Sequence, residues 1–376
     1  MSVSSAFKTV IDNSLLLIAG AVAAIVWANV DNTSYTHLAH AMHFAVNDIG
    51  MVFFFALATK EVVEATLPGG ALATPRQAAL PMLAAVGGML VPALIFIVGA
   101  SLTGQEDAMR GWAIPCATDI AFSYLAARMI FPKASPAIPF LLLLAIADDA
   151  LGLIVLAIFY PSGPLAFLQL LMWMTPALGL AWLMRRRGIT NFWAYLAVPG
   201  LLSWIALYVG GIHAALALVP IVPFMPSAER DLGLFDPREE FRADTLDRFE
   251  HAWKIPVQVI LFFFGLANAG VPLSSVGAPT WLVVAGLLVG KPIGIVAMTL
   301  IGERVGLRRA TGLDLRALCV LGVAAGIGFT VALFFAAAAF APGVVLDQAK
   351  MGALLSFLAA PLALLLARTL GLRRTA

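Results

Sequence analysis

Two adjacent aspartates, Asp148 and Asp149, lie in an otherwise uncharged apolar stretch, LLLLAIADDALGLIVLAIFY, that is long enough to cross a bilayer. Placing an acid in hydrocarbon costs from ~2.5 to more than ~10 kcal/mol, so intramembrane acids usually face a water-filled cavity and have a function there. The pair therefore predicts a site that holds a cation or a proton.

A third acid and a single lysine are also predicted inside the membrane. Asp119 follows Thr118 in IPCATDIAF, and Lys291 lies in AGLLVGKPIGI. We expect Lys291 to pair with Asp148 or Asp149, because an unpaired charge at that depth would be costly. Two interpretations follow: Lys291 takes part in ion exchange, or a permanent salt bridge only joins two helices.

Adjacent residues on a helix point about 100° apart. Asp148 and Asp149 therefore cannot face the same atom, and we expect one to face the ion pathway and the other a neighbouring helix. Hard cations such as sodium prefer oxygen ligands, which the carboxylates, the Thr118 hydroxyl and freed backbone carbonyls supply. Because a proton and a sodium ion would compete for the same oxygens, this site could exchange one for the other.

The composition places these residues in a membrane protein. Hydrophobic residues make up 61% of the 376 and charged residues only 12%, which excludes a soluble globular protein. Residues 1–376 are predicted to form one all-α membrane transport domain. The predicted spans are approximately 13–30, 42–64, 78–100, 109–130, 137–160, 164–184, 191–207, 210–224, 251–268, 280–302, 316–340 and 345–369, twelve in all.

The basic residues predict the orientation. When loops are assigned alternately to the two sides, all but three of the 23 basic residues fall on one side. The exceptions are Arg110 and Lys350 on the other side and Lys291 inside a span. By the positive-inside rule the basic side is cytoplasmic, including both termini and the hydrophilic loop at approximately 225–250.

The spans at approximately 78–160 and 280–369 form two triplets of opposite orientation, each with a helix-breaking sequence in its middle member. Pro115 precedes Thr118 and Asp119 in one, and Gly326-Ile327-Gly328 precedes Thr330 in the other. Interrupted spans in inverted repeats point to a transporter binding site. If each span is two half-helices, Asp119 would offset facing N-termini and Lys291 facing C-termini. Alternatively, Asp119 only caps a half-helix.

These motifs resemble the NhaA-type sodium/proton antiporters in one colinear order from about Ile18 to Arg368. The matching segments are RQAALPMLAAVGGMLVPA, GWAIPCATDIAF, AIADDALG, LANAGVPL, GLLVGKPIGI and GIGFT. The resemblance implies twelve transmembrane helices, of which the fourth and eleventh are unwound and cross at mid-membrane.

The resemblance also implies roles for particular residues. Asp149 matches the principal sodium-binding carboxylate, Asp148 its neighbour that pairs with Lys291, and Thr118-Asp119 the Thr-Asp of the broken fourth helix. Sodium would thus be held by Asp149, Asp148 and Thr118. Four further positions match residues associated with the pH response or the outer end of the second helix: Glu250, His251, His213 and Asp48.

Two departures from the family are visible in the sequence. About a dozen residues separate the first two spans and show no strand pattern, whereas well-known members carry a dimerisation β-hairpin there. A homodimer built through such a hairpin is therefore in question. The inner end of the second helix reads TKEVVEATLPGG, which differs from the family pattern and implies a different pH set-point.

The expected function is electrogenic, pH-regulated export of Na⁺, and of Li⁺ as well, in exchange for H⁺ across the inner membrane of a prokaryote. The lipid bilayer is the expected surrounding, and neither a cofactor nor a nucleic acid partner is expected. The alternative is a carboxylate-coupled transporter of an organic anion on the same fold. An intramembrane enzyme is not expected, because the Gly-Asp motif of a membrane aspartyl protease and the repeated Asp-rich motifs of a prenyltransferase are missing.

Overall fold

The computed structural model describes residues 15–68, 70, 72–132, 134–227 and 244–372. Within these residues the chain is helical and contains no strand. The helices are α1 (Leu15–Val30), α2 (Asn32–Thr66), α3 (Pro75–Leu102), α4 (Ile120–Ile130), α5 (Ala137–Phe159), α6 (Phe167–Arg186), α7 (Phe192–Gly210), α8 (Thr245–Asn268), α9 (Ala278–Arg304), α10 (Leu315–Ala324), α11 (Phe329–Ala339) and α12 (Val344–Thr369).

Seven of the helices in the described part are long and apolar enough to cross a bilayer, and α10 with α11 forms an eighth, broken span. The remaining helices are shorter or carry more charge. The chain is therefore a multi-pass, all-α membrane protein, as the composition predicts. The count of twelve spans stays a prediction.

Two predicted spans differ from the structure. The second begins at Asn32, ten residues before the predicted start, because Asp31 caps it through Ser34 N and a π-helical stretch, Phe44–Gly50, continues it. The predicted eighth span, 210–224, contains only two short 3₁₀ turns. There the chain turns at Gly211, whose φ of +80° is strained for other residues.

Both predicted helix breaks are present. The fourth span consists of two 3₁₀ turns, Glu106–Gly111 and Ile114–Cys116, followed by α4, which begins only at Ile120. The eleventh is divided between α10 and α11, which are bent by 50° at a break of four residues. Proline and glycine at these breaks disfavour continuous helix and free backbone groups for other contacts.

Close packing at glycines holds the long helices together. A Cβ at Gly87 of α3 would lie 2.2 Å from the carbonyl oxygen of Gly294 on α9, and one at Gly20 of α1 would lie 2.1 Å from that of Phe262 on α8. Small residues allow such approach between membrane helices. The α3–α9 contact joins the first helices of the two predicted repeats and fixes the helix that carries Lys291.

The predicted hydrophilic loop at approximately 225–250 falls largely outside the described residues. Its last part is the first turn of α8, where Asp244 accepts a hydrogen bond from Asp247 N and caps the helix.

Candidate ion-exchange site

The two broken spans cross, and their unwound segments bond to each other. Asp119 N donates to the carbonyl of Ile327 at 2.6 Å, and Thr118 Oγ1 donates to the carbonyl of Ala325 at 3.1 Å. Carbonyls freed by the break after α10 are thus satisfied by the break before α4. Irregular backbone at this depth is tolerated only where protein or a cavity supplies such partners.

Asp119 caps the half-helices on both sides of the crossing. It accepts hydrogen bonds from Phe122 N of α4 at 3.4 Å, from Thr330 N of α11 at 3.2 Å, and from the Thr330 hydroxyl. A carboxylate at two helix N-termini offsets the positive ends of both dipoles. Asp119 therefore both caps a half-helix and offsets the charge of two facing N-termini, the two roles that the sequence left open.

Asp148 and Asp149 point in different directions from α5. Asp148 is buried and its Oδ2 lies 2.7 Å from Lys291 Nζ on α9. Its Oδ1 has no hydrogen-bond partner among the described residues. Asp149 remains partly exposed. One acid thus pairs with a lysine of a neighbouring helix, while the side chain of the other keeps part of its surface accessible.

Lys291 has a second acceptor at the break in the fourth span. Its Nζ donates to the carbonyl of Cys116, the last residue of the turn Ile114–Cys116. A π-helical stretch, Gly286–Gly290, directly precedes Lys291, and Gly286 packs against Pro115 without room for a Cβ. The lysine is therefore held between an acid of α5 and the C-terminal end of a half-helix, where a cation is stabilising.

A cavity of about 330 Å³, which we call the polar cavity, lies beside the crossing. Its polar lining residues are Glu61, Thr118, Asp119, Asp149, Gln258 and Thr330. Asp149 also borders a pocket of only about 20 Å³, lined mainly by apolar side chains such as Phe55, Leu156 and Phe335. Asp149 consequently lies where a polar cavity meets an apolar closure.

A second buried lysine, Lys60, lies at the end of α2 near the polar cavity. Its Nζ lies 2.7 Å from Glu64 Oε2 and 3.7 Å from Glu61 Oε1, and it forms an ion pair with Glu250 of α8. Sequence reasoning did not identify this cluster as a site. The i,i+4 spacing of Lys60 and Glu64 is a signal that could have found half of it.

The four residues that the resemblance associates with the pH response or the outer end of the second helix fall in separate places. Glu250 pairs with Lys60, and the neighbouring His251 is exposed. His213 Nδ1 lies 3.8 Å from Asp48 Oδ1, and His43 Nδ1 lies 3.9 Å from Asp48 Oδ2. These two distances exceed hydrogen-bond length, so His213 and Asp48 are neighbours without a direct bond.

The structure brings five predicted ion-site residues to the crossing: Thr118, Asp119, Asp148, Asp149 and Lys291. It adds Thr330, which sequence reasoning noted only as part of a helix break. The Thr118 hydroxyl donates its proton to Ala325, and its oxygen can still accept or coordinate. Carboxylate and hydroxyl oxygens around one cavity match the ligands that a hard cation prefers.

Comparison with known proteins shows which family the sequence resembles. The family described as Na+/H+ antiporter 1 matches residues 4–367. The Na(+)/H(+) antiporter NhaA of Geotalea uraniireducens is 45% identical over 96% of both chains, and that of Geobacter sulfurreducens is 44% identical over 96% of this chain and 97% of the relative.

The fold is similar to a solved antiporter of more distant sequence. The structure of the sodium proton antiporter MjNhaP1 from Methanocaldococcus jannaschii at pH 8 matches with a TM-score of 0.50 and 16% identity, covering 96% of this chain and 90% of that one. This likeness concerns the fold. The family match over nearly all of its length, with relatives that are 44–45% identical, shows that the chain belongs to the Na+/H+ antiporter 1 family.

Proposed function

We propose that this sodium/proton antiporter binds its ions at Asp149 and exports Na⁺, and Li⁺ as well, in exchange for H⁺. Membership in the family makes the chain a transporter and not an enzyme. The ion-binding residues, the inclusion of Li⁺ and the direction of export are the parts that we propose.

One observation carries the assignment of Asp149. Of the three intramembrane acids, Asp119 accepts three protein hydrogen bonds and Asp148 is paired with Lys291. Of these three acids, Asp149 alone accepts no hydrogen bond from the described residues, and it lines the polar cavity. An ionised carboxylate without protein donors needs water, a proton or a cation.

The remaining residues have supporting roles in this proposal. Sodium binds Asp149 with help from Asp148 and the Thr118 oxygen, while Asp119 and Thr330 hold the crossing in place. Exchange is electrogenic if the Asp148–Lys291 pair also releases a proton when one sodium ion binds. The two repeats would then move around the bound ion so that the site opens alternately to either side.

The charge distribution supports the orientation that we propose. Glu61, which lines the polar cavity, lies at the same end of α2 as Lys60, on the side with most basic residues. By the positive-inside rule that side is cytoplasmic, so the polar cavity opens inward in an inner membrane.

Glu250 and His251 lie at this end of the protein, and we propose that they tune the pH response there. Asp48 and His213 are proposed to do so toward the outer side.

The polar cavity does not favour the organic-anion alternative. Its lining includes Glu61, Asp119 and Asp149 and no lysine or arginine among the described residues. Such a lining attracts cations and repels a carboxylate substrate.

The proposal is tested in everted membrane vesicles with a dye that reports the proton gradient. Adding sodium should dequench the dye for the unchanged protein and not for Asp149→Asn, which keeps the side-chain volume and removes the charge. Asp107→Asn, which makes the same change in the turn Glu106–Gly111 away from the polar cavity, is the matched control and should retain exchange. Normal sodium-dependent dequenching in a well-expressed Asp149→Asn protein would refute the site.

A further inference from the structure

A groove of about 760 Å³ lies between the N-terminal parts of α3 and α5 and the loop that follows α9. We call it the basic groove. Its apolar wall is formed by Leu80, Pro81, Pro139, Phe140 and Leu143. Arg308 and Arg309 also line the groove. The basic groove is separate from the polar cavity, with which it shares no lining residue.

The loop is built so that both arginines border the groove. Gly306 has φ of +95°, and its N–H donates to Glu303 O while Leu307 N–H donates to Gly302 O, both at 3.0 Å. This pair of bonds is the Schellman motif, which ends a helix sharply at a glycine. The chain therefore turns directly after α9, and Arg308 and Arg309 follow the turn.

Arg309 is held in place before any ligand binds. Its Nε and Nη2 both donate to the Glu303 carboxylate, with Nη2 at 2.9 Å from Oε2. Its third nitrogen, Nη1, is buried and has no hydrogen-bond partner among the described residues. A buried donor without a partner is unfavourable. Because this atom has no accessible surface, the exposed Arg308 is the basic side chain of the groove that an anion can reach directly.

We propose that the basic groove binds an anionic phospholipid. The two arginines and Glu303 together carry one net positive charge, which matches the single negative charge of a phosphodiester. Guanidinium groups bind phosphate oxygens well, and the apolar wall would contact the upper part of the acyl chains. The groove lies at helix ends, the depth at which lipid headgroups are found.

A lipid bound there would connect two helices of the exchange site. Pro139, Phe140 and Leu143 belong to α5, which carries Asp148 and Asp149, and the arginines follow α9, which carries Lys291. A ligand that binds only the folded state raises stability by mass action. The groove would therefore make thermal stability depend on the type of lipid present.

The test measures the melting temperature of the purified, delipidated full chain in detergent by tryptophan fluorescence. Phosphatidylglycerol, phosphatidylcholine and the water-soluble headgroup glycerophosphoglycerol are added separately. Phosphatidylglycerol should raise the melting temperature clearly more than the other two. Equal effects of the two lipids would overturn the proposal, and an equal effect of the free headgroup would show an anion site instead of a lipid site.

Two variants locate the effect. Arg308→Gln with Arg309→Gln should weaken the apparent affinity for phosphatidylglycerol about tenfold, the effect of losing one charge-assisted hydrogen bond. Leu143→Trp should fill the groove and weaken binding without changing charge. It also carries the test if the arginine variant fails to fold. Arg186→Gln with Arg187→Gln removes the same charge at the end of α6 and should keep the lipid effect. The proposal fails if the control loses the lipid effect as much as the groove variants do, or if the groove variants keep it.

Discussion

Two lysines of the described part of the chain are buried, in opposite electrostatic surroundings. Lys291 is 1% exposed and pairs with one carboxylate, Asp148, and one backbone carbonyl. Lys60 is 3% exposed and lies within 4 Å of three carboxylates. The first group is close to neutral and the second has an excess of negative charge.

The difference follows from access to water. Asp148 is sealed, with 2% of its side chain exposed, so an uncompensated charge there would have no solvent to stabilise it. The side chains of Glu61 and Glu250 are 49% and 39% exposed, so water can stabilise the excess charge around Lys60. Opposite charges are thus matched at mid-membrane, whereas an excess of negative charge is tolerated around Lys60, at the mouth of the polar cavity.

Lys291→Met should have the largest effect on stability. It leaves Asp148 charged and buried, and breaking a buried pair in this way typically costs about 3–5 kcal/mol. The melting temperature in detergent should fall strongly, and sodium-dependent exchange should be lost with it.

The double variant Asp148→Asn with Lys291→Met separates charge from packing. If the unpaired acid is the cause, removing its charge should restore much of the melting temperature. A double variant as unstable as Lys291→Met would mean that the contact with the Cys116 carbonyl, and not the ion pair, stabilises the crossing.

Lys60→Met should destabilise the protein less than Lys291→Met, by about 1–2 kcal/mol, because the three acids it leaves are partly hydrated. The measurement is again the melting temperature, compared at low and high salt. High salt should reduce the loss for Lys60→Met by screening the repulsion between the acids, and should change the loss for Lys291→Met little. A salt-independent loss at Lys60 would contradict the hydrated surroundings described above.

The two lysines also differ in how far sequence predicts them. The membrane makes any interior charge or helix break conspicuous, so Lys291, the adjacent aspartates and both breaks could be identified from residue types and position. Glu250 lies 190 residues from Lys60, and no periodicity encodes such a pairing. The bonds from Thr330 to Asp119 likewise depend on how two broken spans cross, which sequence spacing does not fix.

Parts of the fold could not be predicted for local reasons. The helical stretch Asn32–His43 extends α2 through residues that the sequence predicts to be an outer loop, because its polar sequence, NTSYTHLAHAMH, carries no hydrophobic signature of a membrane span. The segment 214–224, which contains two 3₁₀ turns, is as apolar as a membrane-spanning helix. Hydropathy therefore cannot distinguish these turns from a span.

Glu250→Gln should have the smallest effect, below about 1 kcal/mol, because Glu64 and Glu61 remain beside Lys60 and exposed ion pairs contribute little. Glu64→Gln is the matched comparison: its side chain is only 12% exposed and lies 2.7 Å from Lys60 Nζ, so its melting temperature should fall further. If Glu250→Gln instead costs as much as Lys60→Met, the cluster acts as one tightly coupled unit. The mouth of the cavity would then require the same strict charge matching as the crossing.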